Sequence, residues 1–249
     1  VDILAGFDTP QVAVALASAF GAAFVRGLAG FGLAILLVPV LALALTPVEA
    51  VLVTNVVAVC IGLSEIVSIT REAERSAWTI CVLVILTTAP GLMLLAATPP
   101  ALARLLIALI ALSAFVAMLF PVRPARVPGS GVTIAVGGLS GLLTGYAGMP
   151  GPPVVPYYVG RAIPRRIAKA SMLLIFTIGA AAGLLSGLAI DVLETRLLWL
   201  GLLLLPAVLA GNWLGTQAFG RVSDAVWRSF VAFVLAGAAI AALGRFLTG

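Results

Sequence analysis

Arg26 sits in an apolar stretch beside a cluster of glycines, in the order Phe24-Val25-Arg26-Gly27-Leu28-Ala29-Gly30-Phe31-Gly32. A charged side chain in hydrocarbon costs about 2.5–3.5 kcal/mol even on lenient insertion scales. Its planar fork suits an oxyanion, to which it can give two parallel hydrogen bonds. The plainer role is to hold carbonyls or pair with a glutamate. A second glycine cluster reads Thr144-Gly145-Tyr146-Ala147-Gly148-Met149-Pro150-Gly151. The Gly-x-Ala-Gly frame therefore occurs twice, each time inside an apolar segment too long for one ordinary helix. Duplicated broken helices are the sequence sign of a transport site. Where a new helix starts, its first amides lack partners and its dipole favours an anion. The restart is expected near Phe31–Gly32 and near Gly151, with Pro152 and Pro153 suited to a first turn. The competing explanation is that these glycines only permit close helix packing.

Around these tips the candidate substrate contacts are Arg26, Gly27, Gly30, Phe31 and Gly32 in the first half, and Thr144, Gly145, Gly148, Met149 and Gly151 in the second. Thr54 and Asn55 follow Pro47 by one to two turns, and Lys169 and Ser171 hold similar places after Pro164. Asn212, with Gln217, could face the tips from a later span. Any of these polar residues could instead be interhelical glue. Coupling has no obvious carrier. The chain has no His, only Glu49 and Glu65 fall within expected spans, and Glu72, Glu74, Asp191, Glu194 and Asp224 belong to loops. The parts of a hydrolase are missing too: there is no His for a Ser–His pair and no His-Glu-x-x-His zinc site. Neither enzyme activity, metal nor cofactor is expected. Cys60 and Cys81 read as reduced thiols within spans.

These groups need apolar elements to hold them. Of the 249 residues, 63% are hydrophobic and 9% charged, against about 25% charged in a soluble domain. The chain must face lipid, and the absence of strand-like alternation argues for helices over a barrel. The basic residues are scattered through loops, so the net charge of +5 reports orientation and not nucleic-acid binding. The acidic start (Asp2, Asp8) does not look like a signal peptide.

The connector 121–130, rich in Pro and Arg, divides two similar units, 1–120 and 131–249. Unit one is expected to hold a hairpin over 11–45 and spans over 49–69, 77–97 and 104–120. Unit two would hold a hairpin over 131–159 and spans over 167–189, 196–219 and 226–247. Hairpin arms of roughly 15–17 residues would reach about 22–26 Å; whether they are re-entrant or short full spans is left open. Were each hairpin a single crossing, the basic residues would divide six against seven. As hairpins, they place Arg71, Arg75, Arg123, Arg126, Arg161, Arg165, Arg166, Lys169, Arg221 and Arg228 on one side, and Arg104, Arg196 and Arg245 on the other. Ten against three obeys the positive-inside rule. The expectation is an all-α polytopic membrane protein of two inverted repeats, each a broken-helix hairpin followed by three transmembrane helices. Both termini would lie outside and the connector in the cytoplasm.

The duplicated blocks, Gly27-x-x-Gly30-Phe31-Gly32 followed by Pro39 and Gly145-x-Ala147-Gly148-x-x-Gly151 followed by Pro156, resemble the sulfite exporter TauE/SafE family, also called the toluene sulfonate uptake permease group. The resemblance covers about 11–247. It implies a bacterial-type permease of the inner (cell) membrane for sulfite, sulfoacetate or aromatic sulfonates, with about eight spans. The second copy departs from the Gly-Phe-Gly form, having Gly148-Met149-Pro150-Gly151. The expected function is a secondary carrier of a small sulfur-containing oxyanion, with a channel-like anion conduit as the alternative. The partners are that anion and the bilayer, with no nucleic acid; homo-oligomerisation is left open.

Overall fold

The computed structural model describes residues 7–29, 31–119, 129–218 and 224–248. Among them every regular element is an α-helix: α1 (Thr9–Ala29), α2 (Leu33–Ala44), α3 (Pro47–Ser64), α4 (Ile66–Glu72), α5 (Arg75–Ala97), α6 (Pro100–Leu119), α7 (Ser130–Ala147), α8 (Gly151–Val159), α9 (Arg165–Ala189), α10 (Thr195–Ala218) and α11 (Asp224–Thr248). Seven of them, α1, α3, α5, α6, α7, α9 and α10, are long and apolar enough to cross a bilayer. α11 adds an apolar run, Val231–Leu247. Large apolar side chains such as Leu86, Trp199, Trp213 and Phe233 stand out on the surface, as they do where lipid is the solvent. This is a multi-pass membrane protein. Apart from its last residue, Ser130, where α7 begins, and Gly129, the connector lies outside the described residues.

Both glycine clusters break a helix. α1 gives way to α2 through Gly32, whose φ of 102° is open to glycine and strained for other residues. α7 ends at Gly148, with φ 67°. There the Gly148 N–H donates to Thr144 O (2.9 Å) and the Met149 N–H to Leu143 O (3.2 Å), closing the helix in the Schellman manner. The arms are not the equal pieces expected. Entering helices of 21 and 18 residues return as helices of 12 and 9, about 32, 27, 18 and 14 Å at 1.5 Å per residue. The apolar pattern runs unchanged through each break, so only the residue able to adopt a left-handed backbone fixes where the turn falls. A second difference lies in the span expected over 49–69. It is divided at Glu65 into α3 and the short α4.

Packing pairs the two halves crosswise. α1 lies against α10, α5 against α7, α3 against α9 and α6 against α11. Glycines set three of these seams. Gly27 abuts Asn212, Gly215 and Thr216, while Gly211 abuts Phe20, so α1 and α10 run parallel. Gly137 meets Ile80 and Leu83, Gly141 meets Val84 and Thr87, and Gly145 meets Thr88 and Leu92, so α5 and α7 also run parallel. Across the centre, Gly62 faces Thr177, Gly183 faces Asn55 and Gly187 faces Leu52, so α3 and α9 are antiparallel.

Polar clusters occupy two ends of this bundle. At one, Thr46 and Glu49 form a capping box that starts α3 behind Pro47, and Arg196 pairs with Glu49 at 2.6 Å. Arg104, Arg245 and Gln11 donate to Ala42 O, Leu43 O and Ala44 O, satisfying carbonyls that the end of α2 leaves without helical partners. At the other, Arg161 grips Glu74 with bonds of 2.7 and 2.8 Å and lies over the Tyr157 and Tyr158 rings. Arg166 pairs there with Glu72.

Candidate functional site

Where the two glycine breaks meet the middle of α3 and α9 there is a cavity of about 80 Å³. A single water needs roughly 10–15 Å³ on this measure, so several waters or one small oxyanion would fit. Phe31, Gly32 and the first turn of α2 (Leu33, Ala34, Ile35) form one wall, and Gly148, Met149, Pro150 and Gly151 form another. α3 supplies Asn55, Ala58, Ile61 and Gly62; α9 supplies Leu173, Phe176, Thr177 and Ala180. Arg26 and Glu65 complete the lining, with Ile69 and Val155.

Most of this lining is apolar, which strengthens every polar contact made inside it. Arg26 lies in the last turn of α1. One of its amine groups donates to Asn212 Oδ1 of α10 at 3.1 Å. Among the described residues that is its one hydrogen bond, which leaves most of a five-donor fork for something else. The N–H groups of Leu33, Ala34 and Ile35 precede the first backbone bond of α2, made by Leu36 to Gly32 O. They and the positive end of the helix dipole border the cavity. The second tip offers less. Its Gly148 and Met149 amides are spent on closing α7, and Pro150, Pro152 and Pro153 have none to give. Asn55 is 2% exposed, and its Nδ2 has no hydrogen-bond partner. The amide rests over Gly183, where a Cβ would leave it no room.

Seven of the residues singled out from the sequence thus share one cavity: Arg26, Phe31, Gly32, Asn55, Gly148, Met149 and Gly151. The others that are described do not line it. Gly27 and Gly145 are helix-packing contacts on α10 and α5. Thr54 and Thr144 return their hydroxyls to Ala50 O and Ser140 O one turn back. Lys169 is exposed. Ser171 accepts from the Glu74 amide, at the end of the bundle. Asn212 acts one step removed, by fixing Arg26. Gly30 lies outside the described residues. Two polar lining residues had not been singled out. Thr177 occupies the middle of α9 with its hydroxyl bonded to Leu173 O, and nothing in the local sequence marks it. Glu65 carried a signal, a carboxylate in an expected span, but its position near the span's end hid its significance.

The family model described as "Sulfite exporter TauE/SafE" matches residues 15–242. No curated protein and no solved structure matches the chain. The match takes in all of the described cavity, and the chain belongs to this family of membrane transporters.

Proposed function

We propose that this member of the sulfite exporter TauE/SafE family is a secondary carrier of small sulfur oxyanions, sulfite or organosulfonates, which bind between the two glycine tips. One observation carries the reading: a single cavity brings together Arg26, the first-turn amides of α2, which have no partner among the described residues, and Asn55, whose Nδ2 is buried beside Gly183 without a partner. All three offer hydrogen-bond donors, and their shared chemistry is anion capture. Tetrahedral or pyramidal oxygens of a sulfur acid can accept from several directions at once. The apolar remainder of the wall suits a short hydrocarbon substituent on sulfur.

Alternating access would come from two inverted repeats moving against each other about this point. The antiparallel run of α3 and α9 supports that arrangement, because the two helices hold matching places in the two halves. So does the grouping of charge. Arg104, Arg196 and Arg245 gather around Ala42–Glu49, while Arg161 and Arg166 gather around Glu72 and Glu74. Single crossings would have split both groups. The side of Arg161 and Arg166, where ten of the basic residues are expected, would face the cytoplasm of the inner membrane, with both termini outside.

Sulfite uptake into proteoliposomes tests the reading. Arg26→Ala removes a charge-assisted contact of about 1.5–3 kcal/mol, so the apparent KM for sulfite should rise roughly 10- to 100-fold. The purified variant should keep its size-exclusion profile. An unchanged KM removes Arg26 from the binding site.

A further inference from the structure

Resting on that carrier reading, we infer that Glu65 is the group that takes up a proton when the anion binds, making the carrier an anion–proton symporter. Glu65 lines the same cavity as Arg26 and acts on it electrostatically, yet no ion pair joins the two. Its carboxylate has no hydrogen bond and no ion pair among the described residues. Other carboxylates near the ends of the bundle are engaged: Glu72 by Arg166, Glu74 by Arg161, and Glu49 and Glu194 by Arg196. Glu65 also stands where the helix is interrupted between α3 and α4, so its backbone is not locked inside a continuous ladder.

The neighbouring elements supply few competing charges. α1 brings Arg26; α4 and α5 bring Arg71, Glu72 and Arg75; α9, which starts at Arg165, brings Arg166 and the exposed Lys169. Of these only Arg26 lines the cavity. Tyr157 and Tyr158 of α8 bond to Thr133 and Ser76, and Cys60 lies on α3 itself. The local balance is therefore one cation against one carboxylate. An entering monoanion would leave a net negative charge in an apolar space, where like charges hold protons more tightly. A proton taken onto a Glu65 carboxylate oxygen from the side of entry restores the balance. On the far side the anion departs, Glu65 gives its proton to water, and Arg26 again has a carboxylate counter-charge. Anion and proton cross together, in equal number and in the same direction.

The test uses purified protein in liposomes, with labelled sulfite and protein-free liposomes as the blank. Wild type should exchange internal for external sulfite. With the bath at about pH 5 and the lumen about one unit more alkaline, so that sulfite is the monoanion on both sides, it should also accumulate sulfite up to about tenfold, the ratio of the proton concentrations. In Glu65→Gln, whatever exchange remains should no longer respond to the gradient, and Glu65→Asp should regain the response. A gradient response in Glu65→Gln equal to wild type would show that the proton travels elsewhere. Wild-type exchange without accumulation would end the symport proposal and leave the carrier intact. Absence of sulfite exchange in the wild type would end both. Because the wild-type measurements alone can decide against the proposal, it does not depend on the variants folding.

Discussion

A buried amide without a partner is costly, and Asn55 carries one at 2% exposure. Leaving such a donor unsatisfied costs about 1–3 kcal/mol, so the folded protein tolerates it where something else benefits. Asn55→Leu, of similar size, should raise the thermal unfolding midpoint in detergent, or at least not lower it, while weakening sulfite uptake. A loss of stability together with unchanged uptake would make Asn55 a packing residue. At this scale, legibility followed chemical anomaly. Arg26 stood out because no neighbour in its apolar run explains a charge, and the structure puts it on the cavity wall. Thr54 and Lys169 were singled out by analogy of spacing. That analogy fails because a threonine in a helix can satisfy its own hydroxyl one turn back, and a lysine one turn into α9 reaches water. Thr177 and Glu65 could be found only once α3 and α9 were laid side by side, since what matters is the residue opposite.

Two kinds of glycine hold the elements in place, and they fail differently. Gly32 needs its left-handed backbone, and a Cβ there would have Val25 at 4.0 Å as its nearest neighbour. Gly32→Ala should therefore cost about 1–2 kcal/mol of backbone strain and misdirect the α2 amides, lowering sulfite affinity with modest loss of stability. Gly215 is helical with ordinary backbone angles, yet a Cβ would run into the Phe24 carbonyl of α1. Gly215→Ala must push α1 and α10 apart, and should cut the yield of folded protein more than Gly32→Ala does. Equal losses of folded protein in the two variants, measured by size exclusion, would contradict this division. The end clusters are a third device. Glu72 and Glu194 have their carboxyls held below the usual range chiefly by hydrogen bonds from Arg166 and Arg196. A depressed carboxylate supports the fold above its ordinary pKa and loses that support only as the pH falls through the depressed value. These links therefore stay formed across the neutral range and break only in acid, below the ordinary glutamate range. A transport response between about pH 5 and 6 thus cannot be assigned to them. The sequence displayed the breaks plainly. It hid the unequal arm lengths, because lipid-facing and protein-facing residues are alike apolar and carry no periodic mark of where a helix turns back.

For the whole molecule, the crosswise pairing of α1 with α10 and α5 with α7 means that the first helix of each half is covered mostly by the other half. Each lends it to the other, and the two halves are expected to form together. The antiparallel α3 and α9 at the centre then make the two ends of the molecule chemically unequal. One end gathers Arg161, Arg166, Glu72 and Glu74, and the other Arg104, Arg196, Arg245 and Glu49. If the halves are inverted, the start of α7 and the turn after α9 must lie on opposite faces of the membrane. Ser130 begins α7 and is exposed; Asp191 follows α9 and is exposed, with a left-handed φ of 57° typical of a tight turn. Single cysteines at these two places, in a background with Cys60 and Cys81 replaced by serine, give the check. In intact cells an impermeant maleimide should label Asp191→Cys and leave Ser130→Cys untouched until the membrane is opened. Labelling of both from outside would mean that the halves run parallel. The two glycine tips would then enter from the same face, and a cavity between them could not open alternately to the two sides by exchange of equivalent repeats.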